Sequence, residues 1–151
     1  MGFGKTHPSK GYRSEDLERQ TFADESFDLV VTQDVMEHVF DADAAFREIH
    51  RTLKPGGAHI FTTPLVKRDQ PSQCRATRDS DGAVVHHGPP EFHGNPMSEE
   101  GSLVTWDWGF DITQKISAAG AGTAEILGAA DERMGIEGEL LKVVIQSKRT
   151  P

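Results

Sequence analysis

The sequence lacks most of the features that mark secreted, membrane-bound and nucleic-acid-binding proteins. Its single cysteine, Cys74, excludes an internal disulfide and any zinc site built from several cysteines. No apolar run approaches the roughly 20 residues that cross a bilayer, and the chain does not open with an apolar signal segment. Basic side chains are few, with 16 against 24 acidic ones and a formal charge of −8. Such a surface repels phosphates, so we expect a cytoplasmic protein with no nucleic-acid or membrane partner.

The apolar residues lie in short runs, which predict one domain built around a sheet. Residues Phe27–Thr32 form a continuous apolar run with β-branched residues, typical of a strand buried on both faces of a parallel sheet. The next stretch, Ala42–Leu53, has helical spacing instead. Its apolar face consists of Ala42, Ala45, Phe46, Ile49 and Leu53. Either Asp41 or Asp43 can cap this helix, because a short carboxylate accepts a hydrogen bond from the first turn.

The predicted helix ends at Lys54-Pro55-Gly56-Gly57, because proline cannot continue a helix and glycine permits a left-handed exit. A second apolar run, Ala58–Thr63, predicts another buried strand. Strand, helix and strand at this spacing form a β–α–β crossover. We therefore expect two parallel strands with a right-handed connection.

The rest of the chain is more polar. Residues 64–101 are rich in proline and predict a long loop, which is either functional or disordered. The stretch Ser102–Gly109 alternates and predicts a half-buried strand, whose Trp106 and Trp108 belong either to the core or to a lid over a pocket. A helix and two strands joined by a glycine-rich turn complete the prediction: Asp111–Ala119 ended by Gly120, Thr123–Leu127, Leu141–Gln146 and the turn Gly135–Gly138.

Three blocks of the sequence share one order and spacing with a known family. They are Glu15–Asp28 with its acidic-apolar pair, the continuation to Glu37-His38, and Arg47–Gly57 with its Leu-Lys-Pro-Gly-Gly exit. From Glu15 to Thr63 the chain resembles the type 11 family of class I S-adenosylmethionine-dependent methyltransferases. The resemblance implies an α/β fold with part of a Rossmann-like methyltransferase sheet, mostly parallel with an antiparallel C-terminal strand. It also implies S-adenosylmethionine as cofactor and a small-molecule methyl acceptor.

The resemblance starts at Glu15, so we divide the chain into an irregular segment, residues 1–14, and a methyltransferase-like domain, residues 15–151. The family's first two strands, glycine-rich cofactor loop and first helix do not fit into the segment before Glu15, and Gly2–Thr6 is not a phosphate loop. We therefore expect an N-terminally truncated domain. Its strand Leu29–Gln33 would have an open apolar edge, which predicts a homodimer. The alternative function is a non-catalytic, self-associating subunit that retains the fold.

Four residues are expected on the cofactor side by this resemblance. Asp16 accepts a hydrogen bond from the exocyclic amine of adenine, and Leu17 lies against the ring. Gln33 and Asp34 end the strand, and ligands of open α/β sheets bind beyond the carboxyl ends of strands. The alternatives are a loop charge for Asp16 and a turn or cap for Asp34.

Three residues are candidates for catalysis on the acceptor side: His38, Glu91 and His93. His38 follows Glu37, and an imidazole can accept a proton from an oxygen or nitrogen nucleophile near neutral pH. Packing behind the loop is the alternative for this pair. Glu91 and His93 lie in the polar stretch, which is expected either to face the substrate or to form plain surface.

Histidines in the polar stretch also raise the question of a metal. His86, His87, Glu91 and His93 are acceptable zinc ligands. The intervening Gly88-Pro89-Pro90 prevents a regular helix that would place them on one face, so we predict no metal.

Overall fold

The computed structural model describes residues 2–67, 69–95, 98–128, 133 and 143–148. The elements in chain order are β1 (Phe27–Gln33), α1 (Ala42–Thr52), β2 (Leu53–Thr62), β3 (Gln73–Cys74), β4 (Ala76–Arg78), β5 (Val84–His86), β6 (Phe92–Asn95), β7 (Ser98–Leu103), β8 (Trp106–Asp107), α2 (Ile112–Ala118), β9 (Thr123–Gly128) and β10 (Val143–Lys148). Neither described helix is long and apolar enough to cross a membrane.

Four strands form the main sheet, in the spatial order β1-β2-β10-β9. The first two pair in parallel, from Leu29 opposite Ala58 to Gln33 opposite Thr62, as the β–α–β pattern predicts. The strand β10 is antiparallel to both of its neighbours, β2 and β9. The prediction of a mostly parallel sheet with an antiparallel C-terminal strand is therefore confirmed.

The boundaries of two predicted strands differ from the observed ones by more than one residue. The strand β2 begins at Leu53 rather than Ala58, because Phe27 pairs with Leu53 before an irregularity in the ladder. The strand β10 spans Val143–Lys148. The predicted start of that strand at Leu141 and the predicted turn Gly135–Gly138 lie outside the described residues.

The helix α1 packs its apolar face against the sheet. Asp41 caps it, since the Asp41 carboxylate accepts a hydrogen bond of 2.9 Å from the Ala44 amide. Its buried residues are Ala42, Ala45, Phe46, Ile49 and Thr52. The Phe46 ring lies 5.9 Å from the ring of Phe61 and 6.1 Å from that of Trp108, centroid to centroid. This cluster joins the helix, the sheet and the segment before α2 into one core.

Residues 64–101 are not one long loop. They contain β3 to β6 and part of β7, which form three short antiparallel pairs: β3 with β8, β4 with β5, and β6 with β7. Polar contacts hold this segment in place. The Arg75 guanidinium donates to the Asp107 carboxylate at 2.9 Å and to the Pro89 carbonyl at 2.9 Å.

The single strand predicted over Ser102–Gly109 is wrong. The strand β7 ends at Leu103, and β8 covers only two residues, so Val104 and Thr105 connect two different ladders. Both connecting residues are buried. Thr105 tolerates burial because its hydroxyl donates to backbone carbonyls, among them the Glu37 carbonyl at 3.0 Å. The alternation of apolar and polar residues over Ser102–Gly109 therefore does not correspond to one buried and one exposed face.

Trp106 and Trp108 stack on each other, with ring centroids 4.9 Å apart. Trp108 is fully buried in the core, and the core interpretation is confirmed for this residue. Trp106 is partly buried and lies beneath the Lys115 ammonium, 5.0 Å from its ring centroid. The predicted helix is also confirmed as α2, with Gly120 at φ 75° just beyond its end.

The segment before residue 15 folds back on itself. Thr6 and Arg13 form an antiparallel bridge, the Gly4 amide donates to the Ser14 carbonyl at 2.7 Å, and the Ser14 amide donates to the Lys5 carbonyl at 2.9 Å.

The strand β1 is one of the two outer strands of the described sheet, and β9 is the other. Leu29 and Val31 are 52% and 66% exposed, whereas Val30 between them packs against the core. One face of this strand is thus apolar and open to solvent, so the prediction of a strand buried on both faces is wrong for β1.

Candidate cofactor and acceptor site

The chain turns sharply where β1 ends. Asp34 has a positive φ of 50°, a conformation that Asp adopts more readily than most residues with a side chain. Its amide donates to the Thr62 carbonyl at 3.0 Å, and the Thr62 hydroxyl donates to its carboxylate at 3.3 Å. This turn directs the following residues across the carboxyl edge of the sheet, where ligands of such folds bind.

Glu37 is buried at this edge, with 2% of its side chain exposed. Its Oε2 atom accepts a hydrogen bond of 3.0 Å from the Thr63 hydroxyl. Its backbone carbonyl accepts from the amides of Thr105 at 2.8 Å and Trp106 at 3.2 Å. No described residue donates a hydrogen bond to the Oε1 atom. One carboxylate oxygen is therefore buried and unsatisfied, which is costly in a folded protein.

His38 stands beside that oxygen in a defined tautomer. Its Nδ1 atom lies 2.8 Å from the Leu103 carbonyl, which can only accept, so Nδ1 carries the hydrogen. In the neutral ring the Nε2 atom then has a free lone pair. Nε2 lies 3.8 Å from Glu37 Oε1.

His93 completes the cluster from a distant part of the chain. Its Nδ1 atom lies 3.9 Å from Glu37 Oε1, and its ring meets that of His38 edge to face at 5.2 Å. The fold thus brings together two of the predicted acceptor-side residues, His38 and His93. It adds Glu37, which sequence reasoning paired with His38 but did not choose as a site residue. The signal was weak, because a buried glutamate is recognisable only once its neighbours are known.

Glu91 is engaged elsewhere. Its carboxylate pairs with Arg75 at 3.1 Å, and its backbone carbonyl accepts from the Val104 amide at 2.8 Å. His86 and His87 are exposed, and the His87 ring contacts the Thr77 hydroxyl at 3.1 Å. The structure does not gather these residues around His93. Among the described residues, the group with ligand atoms within 4.8 Å of one another is Glu37, His38 and His93.

Two cavities are lined in part by His38. The first has a volume of about 350 Å³, and its lining includes Asp16, Leu17 and His38. The second has a volume of about 600 Å³, and its lining includes Asp34, Glu37, His38 and His93. His38 is among the lining residues of both.

The residues of the first cavity fit the adenosine end of the expected cofactor. Asp16 is held in a turn, with one carboxylate oxygen accepting from the Glu18 amide at 3.0 Å. A carboxylate can also accept from an exocyclic amine, and the half-buried Leu17, which packs against the core, presents an apolar surface for a ring. Gln33 is exposed at the end of β1 and is not among the residues that line either of these two cavities.

Beneath the site, His59 has a structural role. It is fully buried in β2, its Nε2 atom lies 3.0 Å from the Thr32 hydroxyl, and its ring stacks on Phe61 at 4.5 Å. Burial lowers the pKa of His59 to about 3, so the ring is neutral at physiological pH.

The strand order, with an antiparallel β10 between β2 and β9, is that of a Rossmann-like methyltransferase sheet. Comparisons agree with this class. Residues 4–61 match the methyltransferase domain family of type 11. A dimethylglycine N-methyltransferase of Parasynechococcus marenigrum is 44% identical over 49 residues, which are 32% of this chain and 18% of that protein. An arsenite methyltransferase of Aquipseudomonas alcaligenes is 36% identical over 75 residues, 50% of this chain and 21% of that protein.

A solved structure extends the likeness over almost the whole chain. The S-adenosylmethionine-dependent methyltransferase of Mesorhizobium loti aligns with a TM-score of 0.56 at 16% identity, over 95% of this chain and 72% of that one. The chain thus has the fold of class I S-adenosylmethionine-dependent methyltransferases, and its residues 4–61 are similar in sequence to the type 11 family. The matched stretches span about a fifth of the curated relatives' length, 18% and 21%.

Proposed function

We propose that the chain forms the acceptor side and part of the cofactor side of an enzyme that transfers a methyl group from S-adenosylmethionine to a small molecule. The observation that carries this proposal is the place of His38, which lines both the cavity beside Asp16 and the cavity beside His93. A methyl donor in one space and a nucleophile in the other would meet at this residue. Methyl transfer mainly needs such positioning, with water excluded.

On the cofactor side we assign Asp16 and Leu17 to the adenine, and Gln33 and Asp34 to the carboxyl edge of β1. The first two already line one cavity, and Asp34 lines the other. When bound, the cofactor supplies an electrophilic methyl group on its sulfonium. The chain's own residues orient it and its partner.

On the acceptor side we assign His38 and His93 to the nucleophile. The Nε2 lone pair of His38 can accept a hydrogen bond from a hydroxyl or amine, because Nδ1 is committed to Leu103. Glu91 supports this side by fixing Arg75 rather than by reaching the acceptor. A cavity of about 600 Å³ is of the size that holds small organic ligands.

The test is a calorimetric titration of S-adenosylhomocysteine into the chain. We expect binding, at least tenfold weaker in Asp16→Ala and unchanged in Asp81→Ala, whose carboxylate is an exposed control. Radiolabelled methyl transfer to a panel of small amines and phenols should then be lost in His38→Ala. Absence of heat with a folded chain, or equal affinity in Asp16→Ala, contradicts the proposed cofactor site.

A second candidate function is a non-catalytic subunit that associates through the sheet. The observation that favours it is the exposure of Leu29 and Val31 on the outer strand β1, which can pair with another copy. Light scattering of the chain should then give a dimer, and Val31→Lys should give a monomer. A monodisperse monomer in the unmodified chain contradicts this candidate.

A further inference from the structure

The geometry points to a binding site for one divalent transition-metal ion formed by Glu37, His38 and His93. We infer that the ion is held by Glu37 Oε1, His38 Nε2 and His93 Nδ1. The sequence alone predicts no metal, because Gly88-Pro89-Pro90 separates the candidate ligands of the polar stretch: His86, His87, Glu91 and His93. In the structure His93 lies instead with Glu37 and His38.

The first argument is the unsatisfied oxygen of Glu37. Its Oε1 atom is buried without a hydrogen bond from any described residue, while its partner oxygen is bonded to Thr63. A lone buried acceptor is destabilising unless something compensates it. Two imidazole nitrogens face this oxygen at 3.8 and 3.9 Å, too far for hydrogen bonds but near enough to share one cation.

The second argument is that hydrogen bonds with neighbouring residues orient two of the ligands, His38 and Glu37. His38 donates its Nδ1 hydrogen to the Leu103 carbonyl, which leaves Nε2 aimed at the cluster. The Thr63 hydroxyl orients the Glu37 carboxylate in the same manner. Metal-binding histidines and carboxylates typically have such supporting hydrogen bonds, which fix the tautomer and the direction of the lone pair.

The third argument is the spacing of the ligand atoms. An ion with bonds of about 2.0 Å needs tetrahedral ligands about 3.3 Å apart. The two distances to Glu37 Oε1 exceed that by about 0.5 Å, and all three atoms lie within 4.8 Å of one another. Binding of an ion would require the side chains to move closer, and His93, whose side chain is 40% exposed, has room to do so.

The donor set selects the kind of ion. Two imidazole nitrogens and one carboxylate suit Zn²⁺, Co²⁺ or Fe²⁺, whereas Mg²⁺ and Ca²⁺ prefer oxygen ligands. Three protein ligands leave at least one coordination position open. That position faces the cavity of about 600 Å³ that all three residues line. An oxygen or nitrogen of a small molecule can occupy it.

This inference does not depend on methyl transfer. If the proposed function is also correct, the ion would take the place of the His38 Nε2 lone pair in orienting the acceptor's nucleophilic atom. The two ideas fail separately in one experiment: S-adenosylhomocysteine is titrated in the presence of a chelator, and metal is titrated without cofactor. If S-adenosylhomocysteine binds and the metal does not, only the metal site is contradicted. If the metal binds and S-adenosylhomocysteine does not, only the proposed cofactor site is contradicted.

The experiment uses the untagged chain and Co²⁺, whose visible absorption reports nitrogen and oxygen ligation in a low-symmetry site. We expect one ion per chain, displaced by Zn²⁺. His93→Ala should weaken binding at least tenfold without affecting folding, because that side chain is partly exposed. Glu37→Gln should weaken it as strongly. His86→Ala and His87→Ala are matched controls from the exposed loop and should bind as the unmodified chain does.

Three results would overturn the inference. The first is no absorption change or heat at millimolar Co²⁺. The second is an unchanged affinity in His93→Ala, which stays informative even if Glu37→Gln does not fold. The third is an affinity that falls in the His86 and His87 controls as much as in His93→Ala, which would place the ion on surface histidines.

Discussion

The unit β1–α1–β2 and the segment from residue 64 to residue 109 are held together by different means. In the first, apolar side chains at regular spacing pack one helix on a parallel strand pair, with Phe46 and Phe61 in contact. In the second, short ladders are joined by polar contacts such as that of Arg75 with Asp107. Regular spacing makes the first readable from sequence, whereas the second consists of short ladders, two of them local hairpins, that contacts with distant residues hold in place.

The candidate site lies where these two regions meet. Glu37 and His38 follow the first region's outer strand, and His93 belongs to the second. Leu103 and Thr105 of the second region bond to His38 and to the Glu37 carbonyl. The following substitutions test whether regular apolar packing stabilises the first region and polar contacts stabilise the second.

The largest effect is expected for Phe46→Ala in the first region. Its ring is buried between Phe61 and Trp108, so the change leaves a cavity in the shared core. The free energy of unfolding should fall by about 3–5 kcal/mol, measured by urea denaturation. Phe92→Ala removes a ring that is 53% exposed and should cost less than about 1 kcal/mol. An equal loss of stability in the two variants would contradict the burial of Phe46 in the core.

The next effect is expected for Arg75→Ala in the second region. It leaves the Asp107 carboxylate, 11% exposed, without its cation. Removing one partner of a fully buried pair costs about 3–5 kcal/mol, and partial exposure reduces our expectation to about 2 kcal/mol. The Val104 amide, which bonds to Glu91, should exchange hydrogen faster. Arg47→Ala, at an exposed position of α1, is the control; an equal loss there would contradict a local role for Arg75.

A pH-dependent effect is expected from His59 in the first region. Its folded pKa, about 3, lies below the value of about 6.5 for an unfolded chain. Below pH 6.5 the unfolded chain therefore binds a proton that the folded chain does not, and stability falls as pH falls towards 3. The loss should approach about 1.4 kcal/mol per pH unit. His59→Gln should remove this component. An identical pH dependence in both proteins would refute it.

The smallest effect concerns the helix cap. Asp41→Ala removes the acceptor for the Ala44 amide and should cost about 1 kcal/mol. Asp43→Ala, in the first turn, should cost less, because it loses only a favourable charge near the helix dipole. Thermal unfolding of the two variants decides between the alternatives that the sequence left open. A larger loss in Asp43→Ala would reverse the assignment.

Much of the fold could be predicted because local periodicity depends on a few residues. The strand β1, the helix α1 and the short helix α2 appear close to their predicted bounds. The interval 102–109 misled sequence reasoning, because Thr105 is buried through hydrogen bonds to backbone carbonyls rather than through apolar character. Of the predicted acceptor-side residues, His38 and His93 lie together and Glu91 pairs with Arg75, and their catalytic roles stay predictions.

The sequence by itself determined the parallel β–α–β unit, because hydrophobic spacing and turn residues act over short distances. It also carries the motifs of the methyltransferase resemblance, which implied the antiparallel last strand. Tertiary structure alone decided that Glu37 would be buried with one oxygen unsatisfied, and that His38 and His93 would face it. Burial and the direction of a lone pair depend on neighbours such as Leu103 and Thr63, which no local pattern specifies.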